Sequence, residues 1–259
     1  MPKIVVLVKF TPDLTGDRSF QADGTVDRVS VPGRLSELDE HAAEQALQVK
    51  ESGDWELTYL TMGPDGAQDA LRKALSMGGD AAVHVRDDAL HGSDAFATSL
   101  VLAAAIQRIG FDLVLTGMAS TDAGMGVVPA LLAERLAVPQ LTFAGQLTVT
   151  GETAEIVRDS DTSAETVTAR LPAIVSVTDR TGEARYPSFK GIMAAKKKPV
   201  EVLSLADLGI DPGQVGLAAA RSTVLSASRR PARTAGEQVK DDGDGGRLLA
   251  DFLVANRFI

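Results

Sequence analysis

The feature that most constrains this 259-residue chain is the alternation, through its first half, of short apolar runs with longer amphipathic segments. "KIVVLV" (3–8) is continuous and β-branched, the pattern of a strand buried on both faces. The spacing then predicts a helix over 36–52, with Leu38, Ala42, Ala46 and Val49 on one face and Glu37, Glu40, Glu44 and Glu51 largely on the other. "WELTYLTMG" (55–63) reads as the second strand. The segment 66–77 reads as a helix with Ala67, Ala70, Leu71, Ala74 and Leu75 inward, closed by Gly78-Gly79. "AAVHVRD" (81–87) is a third strand, followed by a helix from an N-cap at Ser93 to Gly110. "DLVLTG" (112–117) is a fourth, and Pro129 suits the first turn of a further helix. Strands alternating with helices predict an α/β fold: right-handed crossovers and a mostly parallel sheet flanked by helices, a Rossmann-like layered arrangement.

The second half changes character. "QLTFAGQLTVTG" (140–151), "AEIVRD" (154–159) and "ETVTARLPAIVSVTD" (165–179) alternate more in polarity and read as antiparallel hairpin strands added to the sheet. After Leu203 the chain turns irregular: 229–246 is rich in Gly, Pro and charge, and "RLLADFLVANRFI" closes it as a short amphipathic helix. This predicts an α/β domain over 1–203 and a C-terminal arm over 204–259. The arm either clasps another subunit or packs back on its own domain.

Composition removes several function classes. The chain has no cysteine, so it builds neither disulfides nor thiol metal sites, and a redox role requires a bound cofactor. Its histidines, His41, His84 and His91, form no ligand-spaced cluster, and no metal site is expected. Met1 leads straight into strand-like sequence, and no apolar run is long enough to span a membrane, so a cytoplasmic protein is expected. A net charge of −9 argues against nucleic acid as a partner.

In an open parallel sheet, ligands collect beyond the carboxyl ends of the strands. The loops there are 9–14, 62–66 and, richest of all, 117–126 in "GMASTDAGMGVVP". Gly117, Gly124 and Gly126 permit close backbone approach, and Ser120, Thr121 and the amides entering the next helix suit a phosphate. The other reading is a plain turn before a helix. The stretch matches neither a P-loop nor a dinucleotide fingerprint. Asp39 and Glu40 are adjacent on a helix and read as solvated charge; no catalytic set of Ser, His and Asp assembles, and no catalytic residue is expected. A nucleotide-binding scaffold fits better than a hydrolase.

One segment stands apart from the acidic average. "RYPSFKGIMAAKKKPVEV" carries no acid from Arg185 to Val200 and combines Tyr186, Phe189, Ile192 and Met193 with Lys196, Lys197 and Lys198. Lysines on a surface turn are commonly just solvated. Apolar anchors inside a basic rim, however, are the makeup of a protein-docking loop, here 185–198, for an acidic partner.

The run "LPAIVSVTDRTGEARYPSFKGIMAAKKKPVEV" followed by "DLG" closely resembles the beta subunit of electron-transfer flavoprotein. The resemblance extends through "DEHAAEQAL", "ALSMGGDAAVHV", "GMASTDAGMGVVPALLAERLAVPQ" and "VRDSDTSAET" to "RTAG", in the family's order. It implies a heterodimer with an alpha subunit, a carrier and not an enzyme. Such a carrier takes electrons from flavin dehydrogenases such as acyl-CoA dehydrogenases and passes them to a membrane quinone oxidoreductase, without itself being embedded in the membrane. It also implies one redox FAD held mainly by alpha and an AMP buried in beta. Carried over residue by residue, the AMP contacts fall on Leu7, Ser36, Glu37, Leu38, Asp39 and Met62. They continue along the loop Gly117, Met118, Ala119, Ser120, Thr121, Asp122, Ala123, Gly124, Met125, Gly126, Val127 and Val128. Leu14 and Leu38 take positions where the family has aromatics near the flavin. Phe189 takes the position of the anchor that enters a pocket on the dehydrogenase. Asp159 falls where the family has an acid that pairs with an alpha-subunit arginine. Two other readings remain open: a bifurcating flavoprotein with a second FAD in place of AMP, and a stand-alone nucleotide-binding protein of the universal-stress type.

Overall fold

β1 (Lys3–Leu7) is the middle strand of a seven-stranded sheet in the computed structural model, which describes every residue except Leu14, Asp17, Arg229, Thr234 and Glu237. Two short strands, β2 (Phe10–Pro12) and β3 (Gly33–Leu35), pair antiparallel and lead into α1 (Glu37–Glu51). The chain continues through β4 (Glu56–Met62), α2 (Ala67–Met77), β5 (Ala81–Val85), α3 (Ala95–Ile109), β6 (Leu113–Gly117) and α4 (Val128–Leu136). Next come β7 (Gln140–Ala144), β8 (Gln146–Thr150), β9 (Thr153–Asp159), β10 (Ala164–Arg170) and β11 (Ala173–Val177). Then follow α5 (Phe189–Ala195), β12 (Val200–Leu203) and α6 (Gly216–Ala219). The sheet order is β12-β5-β4-β1-β6-β11-β7, with every pairing parallel.

Successive residues of β1 serve opposite faces. Ile4 and Val6 join the core under α1 and α2, while Val5 and Leu7 join the core under α3 and α4. The inward stripe of α2 is the one its spacing predicts, with Ala67, Ala70, Leu71, Ala74 and Leu75 all buried. The N-cap of α3 is Asp94, whose carboxylate accepts from the Ala97 amide at 3.0 Å. Ser93, the expected cap, instead accepts from the Gly216 amide at 2.9 Å.

The expectation that 140–179 adds antiparallel strands to the main sheet is corrected. β8, β9 and β10 form a separate antiparallel sheet, while β7 and β11 are parallel members of the main one. The reason is burial: β11, "AIVSV", is buried at every position because it lies between β6 and β7, whereas β8 and β10 keep exposed polar positions. Residues 200–203 follow the basic segment into the main sheet as an edge strand beside β5.

By its contacts the chain divides into Met1–Leu225 and Ser226–Ile259. Leu205, Ile210 and Val215 are buried in the core of the first unit, which keeps 204–225 with it. The second unit carries α7 (Gly245–Ala255), with Leu249, Phe252 and Val254 more than half exposed. Arg247 pairs there with Asp244 and Asp251, one helical turn apart on either side. Among the described residues no helix is long and apolar enough to cross a membrane.

Candidate functional site

From β1 the chain crosses by α1 to β4 on one side, whereas β6 lies on the other. The crevice beyond the carboxyl ends of β1 and β6 is therefore the switch point of the sheet. Asp39, in the first turn of α1, is set into it. Its carboxylate accepts the Lys9 amide at 2.8 Å and the Gly117 amide, joining the ends of two neighbouring strands. Burial pushes its pKa up to about 7, against the pull of those amides and of the Lys9 ammonium, while Asp122 adds to the rise. The reading of Asp39 as solvated helix charge is thus overturned, because the first turn of α1 packs beneath the strand ends. Gly117 makes that packing possible. A Cβ there would stand 2.6 Å from Asp39 Oδ1 and 2.9 Å from the Leu38 carbonyl.

The glycine loop after β6 folds over this crevice and is tied to it by side chains. Asp122, its carboxylate 1% exposed, accepts from Lys9 Nζ at 2.8 Å and pairs with Arg28. Burial pushes the Asp122 carboxyl up, but the two cations outweigh burial and hold it below the ordinary range. Lys9 Nζ also reaches Ser120 Oγ at 3.3 Å, and the hydroxyls of Thr11 and Thr121 lie 3.1 Å apart. Ala123, Gly124, Met125 and Val127 are exposed at the tip, while Met118, Ala119, Ser120, Thr121, Gly126 and Val128 are half-buried.

Ser36 opens α1 at the same rim. Its side chain makes no capping bond, and its hydroxyl is buried without a partner. The Tyr59 and Thr61 hydroxyls are likewise buried without a partner, and each such group costs on the order of 1–3 kcal/mol. Leu7 ends β1 and Met62 ends β4 at this level, and Glu37 and Leu38 are half-buried in the first turn of α1. Ser36, the loop backbone, the Lys9 ammonium and the Arg28 guanidinium are the donors at this rim, of a kind that fits a nucleotide phosphate or ribose, with both cations paired here to Asp122. Leu14 lies outside the described residues. His84 is buried on β5 with Nε2 3.0 Å from the Gly63 carbonyl.

A second cleft, of about 380 Å³, lies beside the loop at the ends of β7, β9 and β11. Asp159 lines it, 3.5 Å from Arg180 Nη1, together with Arg158, which is held by Glu165 at 2.7 and 3.1 Å. Phe143 forms another wall. Thr142 and Phe143 together face the single residue Ser176, a bulge between the Leu141–Val175 and Ala144–Val177 pairs. Phe143 therefore takes a left-handed backbone, φ 61°, which costs a phenylalanine on the order of 1–3 kcal/mol.

Within the basic segment 185–198, Phe189–Ala195 form the short helix α5, and the residues on either side of it are not helical. Phe189, Ile192 and Met193 of α5, with Lys196 at its C-cap, share one exposed face. Phe189 is 80% and Tyr186 93% exposed. Beneath them everything is fixed. Arg185 bonds Glu44 at 2.7 Å and Glu51 at 2.5 Å. Burial pushes Glu44 up, yet Arg185 and Gln48 more than offset it, so its carboxyl sits below the usual range. A Cβ at Gly191 would meet the Ser76 carbonyl at 2.4 Å, so α5 lies directly on α2. The Lys198 ammonium donates to the Leu75 and Gly78 carbonyls at 3.0 and 3.1 Å, closing the end of α2, while Lys196 and Lys197 stay exposed. Arg72 returns the favour for α5 through the Ala195 and Lys198 carbonyls.

Sequence reasoning placed Lys9 in a ligand loop but missed Arg28 and Phe143. Arg28 meets Asp122 across 94 positions, for which a single sequence holds no signal. The bulge leaves no trace in "QLTFA", whose polarity alternates through Phe143; only its burial, with Phe143 exposed and Ala144 buried, breaks step.

Residues 23–208 match the family model described as the electron transfer flavoprotein domain. The chain is 47% identical to the "Electron transfer flavoprotein subunit beta" of Mycobacterium leprae, and 46% identical to the protein of that name in Mycobacterium tuberculosis, each over the full length of both chains. It is 33% identical, over 92% of this chain and 91% of the relative, to the "Caffeyl-CoA reductase-Etf complex subunit CarD" of Acetobacterium woodii. With the family's domain covering most of the chain and full-length kinship to its beta subunits, the chain belongs to the electron transfer flavoprotein family as a beta subunit.

Proposed function

We propose that this chain forms a heterodimer with an electron transfer flavoprotein alpha subunit. The heterodimer accepts electrons from acyl-CoA dehydrogenase-type flavoenzymes in fatty acid oxidation and delivers them to a membrane quinone oxidoreductase. FAD, held mainly by the alpha subunit, supplies the electron transfer when bound. The chain works as a carrier subunit in the bacterial cytoplasm, and its residues bind, orient and dock.

The observation that carries this reading is the ridge on α5. Phe189, Ile192 and Met193 are exposed apolar anchors on a helix whose segment is bolted to α1 by Arg185 and to α2 by Arg72 and Lys198. A rigid apolar ridge edged by Lys196 and Lys197 suits a pocket with an acidic rim on a dehydrogenase. Asp159, loosely paired with Arg180, exchanges that partner for an arginine of the alpha subunit on this reading. The arm after Leu225, with its exposed α7, packs on alpha.

AMP fills the crevice between β1 and β6. Ser36 Oγ, the Gly117–Val128 backbone and the first turn of α1 hold it, and Asp39 fixes the strand ends around it. Kinship to a subunit of a reductase complex favours one second reading, a further FAD in the same crevice. The test of the carrier reading assembles the chain with its alpha subunit and follows flavin absorbance as a substrate-reduced acyl-CoA dehydrogenase is added. Rapid reduction, followed by reoxidation with the quinone oxidoreductase, is expected. A flavin that no acyl-CoA dehydrogenase reduces contradicts the reading.

A further inference from the structure

The bulge that turns Phe143 outward sets its ring between two sites that share one loop. On one side, a Cβ built at Gly126 would stand 3.5 Å from Phe143 Cζ, so the ring lies against the returning limb of the glycine loop. On the other side, Phe143 and Met118 together wall the cleft that holds Arg158, Asp159 and Arg180. Met118 is pinned by its amide, which donates to the Val177 carbonyl at 2.9 Å. The opposite face of the same loop carries Ser120, Thr121 and Asp122, which reach Lys9, Thr11 and Arg28 across the crevice. The support behind the ring is built in. Ser176, 1% exposed, takes the Phe143 amide on its hydroxyl at 2.9 Å and so holds a backbone that a phenylalanine adopts only under constraint.

We propose that Phe143 is a positioning residue that conveys nucleotide occupancy of the glycine loop to the Asp159 cleft. The surface offered there to the partner subunit is then set by whether the crevice is filled. This rests on the nucleotide reading above. A ligand shifts a distant surface only if it contacts the linking element differently in its two arrangements. The glycine loop is the element the two sites share: Ser120, Thr121 and Asp122 face the crevice, while Phe143 backs Gly126 from the cleft. Within the cleft the responsive pair is Arg180 and Asp159, whose 3.5 Å separation is long for an ion pair, whereas Arg158 is doubly bonded to Glu165.

Hydrogen exchange on the heterodimer, emptied of nucleotide and refilled with AMP, tests the proposal. In the native protein AMP slows exchange about 5-fold or more at 36–39 and 117–126, and also at 143–145 and 178–180. Phe143→Gly keeps the left-handed backbone at no strain and deletes the ring. It retains the AMP response at 36–39 and loses it at 178–180; Phe143→Leu, which returns bulk, restores it. A native response confined to 36–39 and 117–126 overturns the proposal, as does a Phe143→Gly protein whose response at 178–180 is unchanged. If AMP protects neither region, the nucleotide reading itself fails and the coupling falls with it.

Discussion

Asp39→Asn isolates the cost of keeping a carboxylate under the strand ends. Asp39 is 7% exposed, and burial moves its pKa from 3.8 to about 7 even though Lys9 and Gly117 bond it. Between those two values the folded chain holds a proton that the unfolded chain has lost. The contribution of Asp39 to stability is therefore fully present below about pH 4 and is lost as pH rises to about 7. At about 1.4 kcal/mol per pH unit, the span amounts to about 4 kcal/mol. Asparagine keeps the shape of the protonated acid and cannot ionise, so the difference between wild type and Asp39→Asn carries this dependence alone. Denaturant unfolding of the heterodimer, followed by far-UV circular dichroism from about pH 4 to pH 8, measures it. Wild type should lose about 4 kcal/mol relative to Asp39→Asn between pH 4 and 7, with no further change above. A difference that stays constant, or that moves in favour of wild type as pH rises, refutes the reasoning.

Other expectations follow from the same contacts. Gly117→Ala drives a methyl group into Asp39 Oδ1 and the Leu38 backbone, so it should lower stability by about 1–3 kcal/mol and release the nucleotide, read by a melt and by nucleotide content after gel filtration. Phe189→Ala removes an anchor whose burial is worth about 1.5–3 kcal/mol, so the KM of the carrier for a reduced dehydrogenase should rise about 10- to 100-fold with flavin content unchanged; an unchanged KM rejects α5 as the docking ridge. Arg185→Ala leaves Glu44 buried without its partner and should cost about 1–3 kcal/mol in a denaturant melt. Glu51→Ala, which removes only an exposed partner of the same arginine, should cost less than about 1 kcal/mol.

Periodicity revealed the parallel half of the fold because each of its strands is buried on both faces and each helix shows one apolar stripe. It misassigned β7 and β11 because short apolar strands look alike whether they close a hairpin or enter a parallel sheet. What separates them is the neighbour, and Ala173–Val177 gains its neighbours β6 and β7 only in three dimensions. The glycine loop was legible as a local string of Gly, Ser and Thr at a strand end. The Asp122–Lys9–Arg28 cluster was not, since its members come from three distant segments. Asp39 misled for a related reason. An acid in the first turn of a helix is usually solvated, and only the packing of that turn against Gly117 buries this one. The α5 ridge was legible as composition, but the fixing of Lys198 to α2 was not, because three consecutive lysines look equivalent in sequence and only one reaches the helix end.

On the function proposed here, this chain is a structural half of a one-flavin carrier, with an adenine nucleotide of its own in the crevice between β1 and β6. The most direct measurement denatures the purified heterodimer and counts the released nucleotides by chromatography. One FAD and one AMP per heterodimer is the expected result. Two FAD and no AMP would contradict it.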